Sequence, residues 1–186
     1  MTPAKNSAAL ETGARVYLRD PVARDRNEVI ERAHASRQLH RPWVTAPSGP
    51  ELFADWLSRM REPRVKALLV CRNEDGAIVG VFTLSQIFRK GFQSAYMGYY
   101  AFEPFAGQGY MRDGMRLVLR HIFAVMKLHR VEANIQPGND QSIQLARKSG
   151  FRREGYSPRY LKIAGRWRDH ERWAITVEDW REVRAK

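Results

Sequence analysis

Cysteine is nearly absent from this chain of 186 residues: Cys71 stands alone, so no disulfide framework can form, and a reducing, cytoplasmic setting is expected. Cys71 falls in the apolar run VKALLVC, which marks it as a packed core residue. No apolar stretch approaches the length of a membrane span, and the opening MTPAKNSAAL lacks the apolar centre of a signal peptide, so neither membrane insertion nor export is expected. The histidines show no ligand spacing, and no metal is expected. Acidic residues are scarce beside basic ones, 20 against 32, leaving a net charge of +12. Such a surface is drawn to polyanions, ribosomal RNA among them, yet there is no basic tail and no aromatic RNA-binding signature; an arginine-rich soluble surface is the plainer alternative.

With 44% hydrophobic residues, the chain has enough apolar material for one sizeable core and is short for two. Residues 1–13 read as a leader, 14–182 as a single domain and 183–186 as a short tail. Residues 15–20 (RVYLRD) read as a strand, and 21–38 as an exposed helix. The three prolines of LHRPWVTAPSGPE point to an irregular connection. Leu52, Phe53, Trp56, Leu57 and Met60 recur on one face of a helix over 50–60. Two strands flank NEDG, a hairpin signal, and a third ends at Phe102. Met111, Met115, Val118, Leu119, Ile122, Phe123 and Met126 then repeat at helical steps, with Arg112, Arg116, Arg120 and Lys127 opposite. A strand over 130–136 leads to a helix over 140–149, with Asn139 placed to cap it and Gly150 to end it. The segment from Arg159 reads as two strands joined at Ala164 and Gly165. The order describes an α/β domain with a mixed sheet, antiparallel hairpins first and then one parallel crossover.

Two glycines flank one polar residue in FAGQGYMRDGMRL, at the junction of the aromatic strand SAYMGYYAF and the following helix. Amides at a helix start lack partners, the helix dipole adds positive charge, and glycine lets the backbone approach a phosphate. A Walker loop would need lysine and serine or threonine here, and a dinucleotide fingerprint would need a third glycine where Arg112 stands. A tight turn without a ligand is the bland alternative.

The ordered set RPW, GQGYM, PGNDQS, GFRREGY and GRWRDH resembles the GCN5-related N-acetyltransferases, and within them the RimJ/RimL branch, whose members acetylate N-terminal amines of ribosomal proteins. The likeness runs from about Arg15 to Trp180. It implies the GNAT fold, with helices flanking a mixed sheet splayed between two parallel strands, here 96–102 and 130–136, and acetyl-CoA in the opening. The backbone of Tyr100, Ala101 and Phe102 would run beside the pantetheine arm. The turn of Gly107, Gln108, Gly109, Tyr110, Met111 and Arg112 would receive the pyrophosphate. Ala106 departs from the glutamine or arginine usual at the opening of that turn. Gly114 also interrupts a helix in which alanine would be the better former.

The resemblance further implies that Ser142 lies near the sulfur as proton or hydrogen-bond donor and that Asn139 contacts the pantetheine arm. Helix capping is a sufficient role for Asn139, and serine is common in a first helical turn. Trp43 and Asn134 are expected on the acceptor side, Trp43 equally as a packing residue. Asn134 occupies a position where some relatives carry a glutamate base, and Leu161 stands near another such position. Glu132 is a substitute or a solvated strand residue, so no base is assigned. Asp169 and His170 are strand neighbours whose side chains point to opposite faces, which excludes a dyad.

The acceptor implied is a protein N-terminus, alanine on a ribosomal protein, in a monomer or homodimer. A small amine (an antibiotic or polyamine) and a ribosome- or RNA-binding assembly factor are the alternatives.

Overall fold

The computed structural model describes residues 9–185. A sheet of eight strands in the order β1-β2-β3-β4-β5-β6-β8-β7 forms its middle layer. The strands are β1 (Glu11–Thr12), β2 (Val16–Arg19), β3 (Lys66–Arg72), β4 (Ile78–Phe88), β5 (Ser94–Ala101), β6 (Arg130–Ile135), β7 (Arg152–Ile163) and β8 (Arg166–Thr176). On one face lie α1 (Arg26–Ala35), α2 (Arg37–His40) and α3 (Pro50–Arg59). Their buried Val29, Ala33 and Phe53 pack on Leu69, Val81 and Phe102 of the sheet side. On the other face lie α4 (Tyr110–Arg120), α5 (Asp140–Lys148) and α6 (Val177–Ala185), whose Met115, Val118, Ala146 and Trp180 join Leu68, Phe82, Val131 and Ile175. Among the described residues no helix is long and apolar enough to cross a membrane.

All neighbouring strands are antiparallel except β5 and β6. That parallel pair is short: Ser94, Ala95 and Tyr96 face Arg130, Val131 and Glu132, and the pairing stops there. Beyond it β5 keeps its ladder with β4 as far as Ala101, and β6 keeps its ladder with β8 as far as Ile135. Each strand is therefore held by its outer neighbour while the inner edges part, which opens a gap in mid-sheet.

Several sequence expectations need correction. Part of the expected leader, residues 1–8, lies outside the described residues, whereas Glu11 and Thr12 pair with Leu18 and Tyr17. The helix expected over 21–38 is broken into a 3-10 turn at Ala23–Asp25, then α1 and α2, the last reaching into the expected irregular connection. Ser36 is the reason for the break: its hydroxyl donates to the Arg32 carbonyl at 2.7 Å and accepts from the Glu103 amide at 2.9 Å, diverting the backbone between the two helices. Leu52 is 52% exposed, although Phe53 beside it is buried, so the apolar face of α3 is narrower than its spacing predicts. Strand β7 begins at Arg152 rather than Arg159, and α6 occupies most of the expected tail. Charged residues dominate α6, so its buried Trp180 is its main apolar anchor.

Candidate active site

Where β5 and β6 part, a cleft of about 990 Å³ passes through the sheet. Met97 to Ala101 form one wall, Ala133 to Gln136 the other, and the starts of α4 and α5 close its far side.

The glycine turn stands at the start of α4. Gly107 and Gly109 have φ of +76° and +84°, a region costly to residues with a Cβ. Gly109 is the N-cap of α4 and no side chain among the described residues caps that helix; the Arg112 amide donates to the Gly109 carbonyl at 3.1 Å, which leaves the amides of Tyr110 and Met111 available to an anion. A Cβ on Gly109 would lie 3.1 Å from a terminal nitrogen of Arg15 and 3.9 Å from one of Arg112. Two guanidinium groups thus stand over the turn. Arg15 is held by Asp113 (2.6 Å) and by the Gln108 carbonyl (3.2 Å), and its guanidinium lies 4.9 Å from the centre of the Tyr110 ring. An uncapped helix start, left-handed glycines and paired cations fit a pyrophosphate.

Gly114 is buried in α4 for a different reason. Its missing Cβ would sit 3.0 Å from both Val70 methyls and 3.2 Å from Phe82, so glycine lets α4 settle on β3 and β4 at the cost of helix propensity. Gly80 does the same from the sheet side, where a Cβ would overlap the Met111 sulfur.

On the opposite wall Asn139 caps α5, its side-chain oxygen accepting from the Ser142 amide at 3.3 Å. The Ser142 carbonyl accepts from the Tyr99 hydroxyl at 2.9 Å, so α5 is tied to β5 across the gap. Asn139 and Ser142 both line the cleft.

Through the sheet, on the side of α1–α3, lie Trp43, His40, Asn134 and His170. The Trp43 amide donates to the His40 carbonyl at 2.7 Å, and its carbonyl accepts from Gln136 Nε2 at 3.1 Å, so the connecting loop is anchored to the end of β6. His40 Nε2 donates to the Ala101 carbonyl at 2.8 Å, and its ring packs edge-on against Tyr100. Burial holds the His40 imidazole below its ordinary range. Tyr100 and Tyr99 are pushed well above theirs by burial, so both phenols stay protonated.

The site expected from the sequence is thus largely brought together, since Tyr100, Ala101, Gly107, Gln108, Gly109, Met111, Arg112, Asn134 and Trp43 line one cleft with Ser142 and Asn139. Phe102 does not: its side chain is fully buried among the N-terminal helices and its amide donates to the Val79 carbonyl. Tyr110 turns its ring outward to Arg15 and Arg72, leaving only its backbone at the turn. Glu132 is outside the cleft, paired with Arg130 at 2.9 Å. Asp169 and His170 diverge as their alternation requires: Asp169 accepts from the Tyr156 hydroxyl and the Arg159 amide, while His170 is buried toward the cleft. Arg15, His40 and His170 are additions that sequence reasoning did not place in the site. For His170 the signal was alternation with Trp173 and Ile175, which places it on the sheet face opposite theirs. Among the described residues, no group of three or more His, Cys, Asp or Glu side chains is placed to hold a metal.

The profile of the acetyltransferase (GNAT) domain matches residues 15–152. The probable N-acetyltransferase YjcK of Bacillus subtilis is 38% identical over 105 residues, 56% of this chain and 58% of that protein. The [ribosomal protein uS5]-alanine N-acetyltransferase of Escherichia coli is 36% identical over 107 residues, 58% of this chain and 55% of that protein. The match therefore spans little more than half the length of each relative. The structure of Mycobacterium smegmatis RimJ in complex with CoA-disulfide superposes with a TM-score of 0.81 at 28% identity, covering 88% of this chain and 83% of that one. Matched over most of its length by the domain profile, and built on a mixed sheet that parts between two parallel strands, this chain belongs to the GNAT acetyltransferase family.

Proposed function

We propose that the chain is an acetyl-CoA-dependent N-acetyltransferase whose acceptor is a protein N-terminal amine, alanine on a ribosomal protein, by direct transfer in a ternary complex. One observation carries this: a cleft joins an uncapped, glycine-lined helix start on one face of the sheet to an aromatic pocket on the other. When bound, acetyl-CoA supplies an acetyl group already activated as a thioester. The unpaired amides of the Gly107–Arg112 turn, with the Arg15 and Arg112 side chains, hold the anionic end. The parted edge of β5 offers backbone to the pantetheine arm and to the acetyl carbonyl. Ser142 donates toward the departing sulfur.

Charge favours a peptide over a polyamine. Among the described residues the cleft lining carries Arg41, Arg112 and Lys148 against a single carboxylate, Asp140. A polycationic acceptor would enter against that potential, whereas the single amine of a peptide N-terminus would not need a carboxylate for each charge. The choice of alanine and of a ribosomal protein leans on the E. coli relative. The net charge of +12 is compatible with work on the ribosome in the cytoplasm.

Calorimetry with acetyl-CoA on the natural chain and on Gly109→Trp tests the cofactor half, followed by a screen of N-terminal peptides beginning with alanine. Binding that the tryptophan abolishes, with transfer to alanine peptides above spermidine, is the expected outcome. A natural chain that binds no acetyl-CoA, or that acetylates spermidine better than any peptide, overturns the proposal.

A further inference from the structure

Transfer to an amine needs somewhere to put a proton, and the carboxylates that could take it are elsewhere. Glu132 is engaged by Arg130, and the one carboxylate of the cleft, Asp140, sits exposed at the first turn of α5. Two histidines line the same cleft. His40 is fastened to the end of β5, its Nε2–H donating to the Ala101 carbonyl and its ring packed between Tyr100 and Phe102, and it stands on a helix rather than on the strands that flank the gap.

His170 is differently placed. It is only 2% exposed yet reaches the cleft. Its Nδ1 lies 3.0 Å from the Arg168 carbonyl, and a carbonyl only accepts, so the proton of the neutral ring is on Nδ1 and the Nε2 lone pair is left over. On the neighbouring strand, Asn134 pairs with Arg172, which places Asn134 and His170 diagonally across one face of the sheet. Asn134 Oδ1 is buried and has no hydrogen-bond partner among the described residues. A buried acceptor without a donor is costly, and an N–H from a ligand would satisfy it. Two lone pairs, one on each strand, thus flank the acceptor end of the cleft.

Resting on the acetyltransferase reading above, we infer that His170 is the general base of the reaction and that Asn134 Oδ1 orients the acceptor amine by accepting a second N–H. The amine nitrogen gives its lone pair to the acetyl carbon, and the carbon–nitrogen bond forms. The carbon–sulfur bond of the thioester breaks, with its electron pair going to sulfur. His170 Nε2 takes the proton that the nitrogen sheds, and the thiolate takes one from the Ser142 hydroxyl, which is restored from water. The imidazolium then returns its proton to water, so that amine and acetyl-CoA become amide and CoA.

The charged and titratable groups around the ring are consistent with this use. Tyr160 of β7 lies 6.1 Å away between ring centres, and its hydroxyl is the chief cause that pushes the phenol of Tyr96 on β5 up to about 12. Arg168, Asp169 and Arg172 flank His170 along β8, and Arg41 lines the same cleft. Burial outweighs the hydrogen bond to the Arg168 carbonyl and the carboxylate of Asp169 and holds the imidazole below its ordinary 6.5, so the ring is neutral at pH 7.

The test compares the natural chain with His170→Ala and His170→Gln, using an alanine-starting peptide. Acetyl-CoA binding by calorimetry is expected to change less than about threefold, and kcat to fall about 10²- to 10³-fold with KM little altered. On the acid side the kcat/KM profile should fall with a slope of about two below the imidazole's pKa in the natural chain and with a slope of about one, that of the peptide amine, in both variants, and added imidazole should restore part of the rate to His170→Ala. Independently of any variant, carbon–proton NMR of the natural chain should show one imidazole with the Nδ1–H tautomer titrating below 6.5 and shifting when the peptide is added. Retention of the steeper slope in both variants, failure of imidazole to rescue, or a His170 resonance indifferent to the peptide overturns the assignment. Absent acetyl-CoA binding by the natural chain would instead strike the underlying function, and the base with it.

Discussion

His40 donates from Nε2 to the carbonyl of Ala101 at 2.8 Å, so the helix pair next to the acceptor loop is fastened to the strand end that bounds the cleft. The Trp43 amide bonds the His40 carbonyl, and one imidazole therefore couples the acceptor loop to β5. Truncating it in His40→Ala leaves the Ala101 carbonyl without its donor and removes the contacts to Tyr100 and Phe102. A loss of about 2–4 kcal/mol is expected in urea unfolding, with a lower kcat for whatever acetyl is transferred. Unchanged stability would show that the bond does not hold the loop.

Stability should fall as the solution is acidified below about pH 6.5. His40, His121 and His170 are each buried, and burial is the leading cause that holds each imidazole below its ordinary value. A histidine with a lowered folded pKa takes up its proton more readily when unfolded. Its contribution is therefore complete above about 6.5 and declines as pH drops toward the folded value, by at most about 1.4 kcal/mol per pH unit for each ring. Urea midpoints at about pH 7.5 and 5.5 measure it, and equal midpoints would contradict it.

Gly114→Ala sets helix propensity against packing. Alanine gains about 1 kcal/mol in a helix interior. Its methyl would press on both Val70 methyls at 3.0 Å and on Phe82, and overpacking of this kind costs about 1–3 kcal/mol. Packing wins, and a melting temperature lowered by about 2–4 °C is expected. A rise would mean that α4 can lift from the sheet without cost.

Arg15→Ala separates binding from folding. The pair with Asp113 is half exposed on the arginine side, and such pairs contribute about 0–1 kcal/mol to stability. If Arg15 holds the anionic end of acetyl-CoA, the affinity should fall about fivefold or more, and the remaining binding should depend less on salt. Unaltered affinity in calorimetry would leave the phosphate contact to Arg112 and the backbone.

Ser142 and Asn139 should separate in the same way. Asn139→Ala removes the cap and is expected to cost about 1 kcal/mol. Ser142→Ala keeps the backbone N–H that the cap uses, so stability should hold while kcat falls about tenfold or more. Equal melting losses in the two variants would assign Ser142 to the helix rather than to the sulfur.

Much of this was written in short-range patterns. The spacing of Met115, Val118 and Ile122 specified α4, NEDG specified a hairpin, Asn139 specified where α5 begins, and the two glycines specified a turn needing positive φ. These depend on neighbours within a few residues, so the chain alone suffices to state them. Helix α6 escaped because its apolar content is low and its anchorage is a long-range contact between Trp180 and Phe123. The break at Ser36 escaped for a similar reason, since Glu103 completes it from far along the chain.

The glycine turn was legible because glycine conformation and a helix start are local matters. The pocket on the other face of the sheet was not. Asn134, His170, His40 and Trp43 come from three separate stretches, and only the ladder between β6 and β8, with the loop tied to Gln136, brings them to one opening. Short-range pattern was enough for the family, most of the elements and the glycine turn. The tertiary structure decided where β5 and β6 part and which side chains face the gap. Strand pairing is set by contacts between distant segments, and no local preference encodes its end.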